Sequence, residues 1–393
     1  MTGFRTFLAA RLVSYLGSSM SAVALAFGVL GASGRPADLG IVLAASFGPH
    51  LALLLVGGAV ADRFPRRAVL VVANLGAGLA QAGVAAVLLT GAYSLLVVSA
   101  LALVNGVLES FASPALRGIV PELVPPAEVR RANSLLASTR HGTRIAGPAV
   151  AGVIASVSNG GWAIAVDALT FLVAAAFLTR LPATPGAAGS GSLLPDIRDG
   201  WREFRSRRWV WTAALAFCVF NLANVGAWQV LGPALTGPAA WGLVLSVRAV
   251  GLLVMSLLMY RVSPPHPLRT GALIAATGGF PLVALGVDAP LPALVGCAFV
   301  GAMGFATWGV VWDTALQQHV PAGVLSRVAS YDDLLSFGSI PLSLLLVGPA
   351  AAVWGPEAVA LVCGVVCALS SVAPLAVREF RDLRARPAVP AEG

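Results

Sequence analysis

The chain has 393 residues, of which 58% are apolar and only 11% are charged. An ordinary soluble domain has about a quarter of its residues charged, so this composition excludes a protein with a water-facing surface all round. The formal net charge is +8, and all 25 basic residues are arginine, since the sequence has no lysine. Because a transmembrane helix needs about 20 mostly apolar residues, about a dozen spans with short loops take up the whole chain.

The apolar segments predict an all-α integral membrane protein with twelve transmembrane helices in two six-helix pseudo-symmetric bundles. In chain order the predicted spans are 7–31, 38–61, 69–90, 94–113, 133–157, 162–180, 209–231, 239–260, 270–287, 292–313, 328–351 and 357–377. The first has the basic start of a signal peptide, but it runs on to Leu30 and more apolar segments follow, so we assign it as a span.

A Pro/Gly/Ser/Ala-rich stretch divides the spans six and six. It predicts a first bundle at 1–180, a cytoplasmic linker at 181–208, a second bundle at 209–378 and a cytoplasmic tail at 379–393. Two weak internal matches cross this midpoint: PADLGIVLAAS from Pro36 parallels PAAWGLVLSVR from Pro238, and VPPAEVRRANSLL from Val124 parallels VPAGVLSRVASYD from Val320. Repeats of this kind are common in transporters.

The arginines lie mainly in every second segment between spans. Twenty of them fall on one side, against Arg35 alone on the other. Because basic residues favour the cytoplasmic side, this predicts a multi-pass protein of the plasma (inner) membrane with cytoplasmic N- and C-termini. The positive charge therefore reflects topology and anionic lipids as partners, and it does not indicate a nucleic-acid partner.

The connection between the second and third spans carries a charged motif. Its residues are Gly58, Asp62, Arg63, Arg66 and Arg67. The run resembles the loop motif of the major facilitator superfamily, G-x-x-x-D-[RK]-x-x-[RK]-[RK]. An acid at a helix end can accept hydrogen bonds from an opposing helix N-terminus, and the arginines can bind lipid phosphates. The resemblance implies the superfamily's fold and a latch at the inner face, in which Asp62 faces the start of the eleventh span near Ser330; an ordinary basic turn is the alternative.

The fifth predicted span contains Gly147, Pro148 and Gly152. This run resembles the antiporter motif of drug-exporting members of the superfamily, with Ala151 in place of one glycine. Small residues let helices approach closely and proline bends a helix, so packing alone also explains the run. The wider segment from Ser113 to Gly152 resembles the branch that contains the enterobactin exporter and macrolide efflux proteins.

Ionisable residues inside the predicted spans need a partner or a function, because a charge at a helix centre costs about 2.5 kcal/mol or more. The candidates are Glu109, Arg140, Arg144, His50, Asp167 and Arg248. Comparable depth from the inner side predicts an ion pair between Glu109 and Arg140. Arg144, one turn deeper, can attract an anionic substrate group, pair with Glu109 instead, or bond to backbone carbonyls.

The other candidates are weaker. We expect His50 to be a packed polar residue rather than a proton carrier. Asp167 and Arg248 both lie nearer the outer side, where they can form a gate or face water. Asp332 and Asp333 open the eleventh span, where the helix dipole accounts for them.

The resemblance further implies that the first, fourth, seventh and tenth spans line a central cavity. Their candidate lining residues are Ser14, Asn105, Asn221, Asn224, Gln229 and Trp308. Trp312, near the inner end of its span, is expected to face lipid or the interface. Ser18 replaces the acid that many proton-coupled exporters have after the glycine of the first span, which leaves Glu109, Asp167 or His50 to couple protons.

We therefore predict a secondary active transporter that exports an amphipathic small molecule, such as a drug-like metabolite or a siderophore, by alternating access and proton antiport. Uptake of a small solute is the closest alternative, because a fold does not encode direction. A polytopic membrane enzyme acting on a lipid is less favoured, because the chain has no second pair of acids to bind magnesium. A sensor that binds ligand without transporting it is a third possibility. The chain has no G-x-x-x-x-G-K-[ST] loop, and we expect no cofactor, no metal site and a monomer.

Overall fold

The computed structural model describes residues 2–53, 65–125, 128–158, 160–181, 201–259 and 265–384. Within these ranges the chain is helical and contains no strand. Ten helical segments there are long and apolar enough to cross a membrane, in agreement with the predicted class. Two predicted spans fall outside that set. The second is described only as far as Leu53, and the helix that contains the fifth, Val129–Val157, carries four arginines and is less apolar.

The described residues of the first part of the chain form six helices. They are α1 (Thr2–Ser33), α2 (Pro36–Ala52), α3 (Arg66–Leu89), α4 (Leu95–Leu123), α5 (Val129–Val157) and α6 (Gly160–Leu178). Helix α4 extends beyond the predicted span end at 113, continues through Pro114 and Pro121, and ends at Leu123, before Val124 and Pro125. The residue before a proline is pushed out of the helical region, and Val124 is extended.

The second part of the chain forms more, and shorter, helices. They are α7 (Arg208–Gly226), α8 (Gly232–Leu235), α9 (Pro238–Met259), α10 (Pro267–Ala275), α11 (Phe280–Gly286), α12 (Leu291–His319), α13 (Ala322–Phe337), α14 (Ile340–Trp354), α15 (Pro356–Val372) and α16 (Arg378–Arg381). A π-helical turn at Ala227–Leu231 joins α7 to α8, and 3-10 turns lie at Ala276–Gly279 and Ala373–Ala376. The ninth predicted span is thus divided between α10 and α11, because Pro281 lacks the N–H that a continuous helix needs.

The helices group into two compact units. Unit 1 comprises Met1–Ser190, Gly226–Ser246 and Leu344–Pro356, and unit 2 comprises Gly191–Val225, Val247–Ser343 and Glu357–Gly393. Unit 1 therefore contains α1 to α6 together with α8, the first part of α9 and most of α14. The prediction of bundles at 1–180 and 209–378 stays a prediction.

Glycines let helices of unit 1 touch along their backbones. A Cβ atom at Gly160 would lie 2.2 Å from the backbone nitrogen of Gly28, which joins α6 to α1. A Cβ at Gly152 of α5 would lie 2.6 Å from the carbonyl oxygen of Pro238, at the start of α9. The glycines of the antiporter-like run thus allow the close approach that their size predicts.

Unit 2 has an aromatic core. The rings of Trp308 and Trp312 stack with centroids 5.5 Å apart, and Trp209 packs on Trp312 edge to face at 5.6 Å. Trp312 is only 8% exposed, so the prediction that it faces lipid or the interface is wrong. Its indole N–H donates to an Asp332 oxygen at 2.7 Å, and this buried acceptor is what holds the ring inside.

Asp332 also differs from its prediction. It lies inside α13, which begins ten residues earlier at Ala322, so the dipole of a helix N-terminus does not account for it. Its two carboxylate oxygens are instead bound by Trp312 and by the hydroxyl of Ser336, at 2.7 and 3.3 Å. Asp332 is therefore a packed polar residue that ties α13 to α12.

Candidate functional site

Unit 1 contains a cavity of about 510 Å³ among helices α1, α3, α4, α5 and α6. Pockets for small ligands are commonly 300–1,000 Å³, so it is large enough for a drug-sized guest or a substantial part of one. The polar side chains on its wall are Arg11, Ser14, Tyr15, Ser18, Ser19, Asn74, Glu109, Arg140 and Arg144. Nine polar side chains of the described residues thus line the cavity, and four of them are ionisable arginines or a glutamate.

Helical spacing explains why these side chains share a wall. Residues three, four and seven apart lie on one face of a helix. On α1, Arg11 is followed by Ser18 seven residues later, and on α5, Arg140 is followed by Arg144 and Pro148 at steps of four. The antiporter-like run therefore continues, one turn further along, the face that carries both arginines.

Arg11 has the most constrained position of the three arginines. It is 8% exposed, and its guanidinium carbon lies 4.1 Å from the centroid of the Tyr15 ring. Such stacking on an aromatic face stabilises a cation but does not satisfy its N–H donors. The Nε of Arg11 has no hydrogen-bond partner among the described residues.

The predicted ion pair between Glu109 and Arg140 is not formed. Both side chains are exposed on the cavity wall, and the ion pairs of the described residues do not include them. The positive charge that acts on Glu109 is Arg11 of α1, while Arg140 and Arg144 of α5 act on each other. Equal depth along two helices did not bring these side chains together, because depth does not fix the direction in which a side chain points.

Asp167 of α6 is completely buried, with 0% exposure. This excludes the alternative that it faces water, and the alternative of a gate stays a prediction. Gln81 of α3 donates to its Oδ2 atom at 2.9 Å and to the hydroxyl of Ser21 at 3.0 Å. The Oδ1 atom has no hydrogen-bond partner among the described residues. A Cβ at Gly17 would lie 2.5 Å from this oxygen, so the absence of a side chain at Gly17 leaves room for it.

The sequence profile of the Major Facilitator Superfamily matches residues 7–343. The chain belongs to the Major Facilitator Superfamily. It is therefore an integral, multi-pass membrane transporter for a small-molecule substrate and not an enzyme. The resemblance to this superfamily is confirmed, whereas the roles of the Asp62 loop and of the Gly147 run stay predictions.

Two curated relatives match this superfamily member over nearly its whole length. The multidrug efflux pump Tap of Mycolicibacterium fortuitum is 25% identical, over 96% of each chain. The enterobactin exporter EntS of Citrobacter koseri is 24% identical, over 98% of this chain and 94% of its own. Among solved structures, the nucleoside transporter NupG matches with a TM-score of 0.78 at 12% identity, over 96% of this chain and 99% of that one. The superfamily's fold is thereby confirmed.

The loop motif for which a latch is predicted lies mostly outside the described residues. Residues 54–64 lie outside the described ranges, and they include Gly58, Asp62 and Arg63. For Arg66 and His50 only the backbone is described, within α3 and α2 respectively. Arg67 is described: its guanidinium donates to the carbonyl oxygen of Thr179, just after the end of α6. A cation at the carbonyl end of a helix is stabilised by the helix dipole, so Arg67 links α3 to the end of α6.

The other predicted lining residues have different surroundings. Ser14 lies on the cavity, whereas Asn221 is buried and donates to the backbone carbonyl of Ser336 at 2.9 Å. Trp308 lines a pocket of only about 20 Å³ in unit 2, far below the roughly 300 Å³ at which pockets for small ligands begin. Asn105, Asn224 and Gln229 are partly buried and are absent from the cavity wall of unit 1.

The guanidinium of Arg248 in unit 2 lies 5.9 Å from the centroid of the Phe305 ring.

Sequence reasoning missed Gln81 and Tyr15 as site residues. A glutamine inside an otherwise apolar span was a signal for the first. The described residues include no group of three or more side chains that could hold a metal ion.

Proposed function

We propose that this transporter exports an amphipathic small molecule by alternating access and takes up protons in exchange. The observation that carries the proposal is the charged cavity of unit 1, whose volume of about 510 Å³ suits a drug-sized guest. Two relatives of the same length, Tap and EntS, are an efflux pump and an exporter. Their direction of transport supports export over uptake.

The setting of the transport cycle is part of this proposal. The protein works in the plasma (inner) membrane with both termini in the cytoplasm, as a monomer in contact with anionic lipids. The halves 1–180 and 209–378 rock about the substrate site, and the loop with Asp62 latches them at the inner face. The arginine bias along the chain supports this orientation.

Asp167 is the preferred site for the coupling proton. A carboxylate without a cation is costly inside a membrane, so a fully buried aspartate with one unpaired oxygen favours its neutral form. The charged group that acts on it among the described residues is Glu109, another acid. Glu109 is exposed on the cavity wall, so it is the second candidate and the one that can exchange protons with the cavity.

Transport in proteoliposomes tests the proposal. With a panel of drug-like and siderophore-like compounds and an imposed pH gradient, the wild type is expected to accumulate at least one compound against its gradient. Asp167→Asn, which imitates the neutral acid, is expected to lose this accumulation but to keep exchange of labelled for unlabelled compound. The control is Asp382→Asn, the same change at an exposed position.

Each result has a distinct meaning. Accumulation that ignores the pH gradient in the wild type refutes proton antiport. An Asp167→Asn variant that still accumulates the compound, beside a Glu109→Gln variant that does not, moves the coupling proton to Glu109. Accumulation that requires proton flow in the same direction as the compound refutes export by antiport and supports uptake.

A further inference from the structure

We propose that the cavity of unit 1 binds the negatively charged group of the transported molecule, so that the substrate is an amphipathic organic anion, such as a carboxylate. The inference deepens the proposed function and rests on it, because it assigns a substrate class to the cavity of that exporter. Three observations support it. The side chains on the wall carry a net positive charge, Arg11 is buried with an unpaired Nε, and Arg140 and Arg144 lie on the same wall.

The wall carries more positive than negative charge. Arg11, Arg140 and Arg144 face one acid, Glu109, across the cavity. Arginine stays protonated in proteins, so with Glu109 ionised two of the three positive charges remain without compensation from the wall. Uncompensated charge is unfavourable inside a membrane protein, and a bound anion removes that cost.

Arg11 is prepared to donate hydrogen bonds. The residue is more than nine-tenths buried, and its guanidinium carbon lies 4.1 Å from the centroid of the Tyr15 ring. Its Nε is enclosed and has no partner among the described residues, and the side chain borders the cavity. A carboxylate matches a fixed guanidinium because its two oxygens accept two parallel N–H bonds.

The arginines of α5 complete the site. Arg140 and Arg144 are exposed on the same wall, close enough to act on each other electrostatically. Two like charges on neighbouring turns repel, and an anion between them replaces that repulsion with attraction. Tyr15 lies on the same wall, with its ring centroid 4.1 Å from the guanidinium carbon of Arg11.

Glu109 leads us to expect opposite changes in anion affinity from two kinds of substitution. Its carboxylate acts on Arg11, so it competes with a substrate anion for the same cation. Removing its charge should strengthen anion binding, whereas removing an arginine should weaken it. A residue with only a structural role would not produce opposite changes of this kind.

Three probes with the same ring system test the charge preference: 2-naphthoate, 2-naphthylmethanol and 2-naphthylmethylammonium. Their binding to the full-length protein in neutral detergent is measured by calorimetry against protein-free micelles. We expect the anion to bind at least about tenfold more tightly than the neutral alcohol, the factor that one hydrogen bond to a charged group supplies. The cation is expected to bind more weakly than the alcohol.

Variants then identify the site. Arg144→Gln and Arg140→Gln are each expected to lower naphthoate affinity about tenfold and to leave naphthylmethanol binding unchanged, because a single charged hydrogen bond is lost. Glu109→Gln is expected to raise naphthoate affinity. Arg180→Gln, the same substitution at an exposed position after α6, is the control and should bind all three probes as the wild type does.

Equal binding of the three probes by the wild type, or no naphthoate binding at all, overturns the proposal. So does unchanged naphthoate affinity in both arginine variants, or a lower affinity in Glu109→Gln. Nanodiscs with and without phosphatidylglycerol separate the two sources of an anion: if the lipid abolishes naphthoate binding, the site holds a headgroup and the substrate assignment fails. Because binding needs no gradient, anion selectivity without transport would refute the proposed exporter and leave the site intact.

Discussion

An alanine at Gly152 is expected to force α5 and α9 apart. Its Cβ would lie 2.6 Å from the carbonyl oxygen of Pro238 and 3.2 Å from the Cα of Gly242. Both neighbours are backbone atoms, which cannot rotate away as a side chain can. An ordinary contact begins at 3.4 Å, so the helices must separate by about 0.8 Å, a kind of overpacking that costs about 1–3 kcal/mol.

Gly142 supplies the matched control on the same helix. A Cβ there would meet nothing within 4 Å, so alanine adds no clash. Replacing glycine by alanine within a helix stabilises it by up to about 1 kcal/mol. The same substitution, ten residues apart on α5, is thus expected to change stability in opposite directions.

Gly242 allows a stricter test of the cause. A Cβ at Gly242 would lie 2.5 Å from the carbonyl oxygen of Pro148 and 3.2 Å from the Cα of Gly152. Once the helices have separated to accept one methyl group, the second methyl needs little further movement. The double variant should therefore lose less stability than the two single variants together, since residues in contact are not additive.

The measurement is the thermal unfolding of the purified transporter in detergent, followed by tryptophan fluorescence. We expect Gly152→Ala and Gly242→Ala to melt below the wild type and Gly142→Ala to melt at or above it. A Gly152→Ala variant as stable as Gly142→Ala would refute the close contact. Fully additive losses in the double variant would show that the two glycines do not share one contact.

Three further predictions concern stability. Trp312→Phe removes the N–H that donates to Asp332 and is expected to lower the free energy of unfolding by about 1–3 kcal/mol, because a buried acceptor is left unpaired. Thermal unfolding in detergent measures this loss, and an unchanged melting temperature contradicts the hydrogen bond. Gly160→Ala is expected to lower the melting temperature, because a Cβ there would lie 2.2 Å from backbone, whereas Gly31→Ala, with nothing within 4 Å, should not. Burial and the neighbouring Asp38 carboxylate raise the pKa of Tyr93 from 10.0 to about 12, so its neutral phenol contributes stability below pH 10 that is lost as the pH rises towards 12. Tyr93→Phe should remove this alkaline loss and the last phenolate absorbance step, and a step that persists in the variant excludes Tyr93 as its source.

The fold was predictable because its main determinant is local. A long apolar run has few alternatives to a membrane helix, and the sequence alone locates such runs. Helix ends were less predictable. Helix α4 continues to Leu123 because helical backbone bonding does not stop where the apolar run does, and the ninth predicted span is interrupted by a 3-10 turn before Pro281.

The site was predictable only in part. The spacing of Arg140 and Arg144 fixed their common face, and their place on a cavity wall agrees with it. The pair of Glu109 with Arg140 was wrong, because sequence gives the depth of a residue along its helix and not the rotation of that helix against its neighbours. Arg11 contacts Tyr15, four residues away on its own helix, whereas Gln81 donates to Asp167 from another helix. A contact between two helices leaves no pattern in the sequence around either residue.

The widened turn at Ala227–Leu231 has a consequence for any comparison of this helix with a regular one. A π turn accommodates one more residue than an α turn, and each residue of an α-helix advances the side-chain direction by about 100°. Gly232 follows this turn directly, and the ring of Trp241 packs against it, with a ring atom 2.1 Å from the place where a Cβ of residue 232 would be. Deleting one residue between 227 and 231 should therefore regularise the helix and turn one of its ends by more than a quarter of a revolution. A protein with a straight seventh span would then align to this one with a single-residue gap at that point.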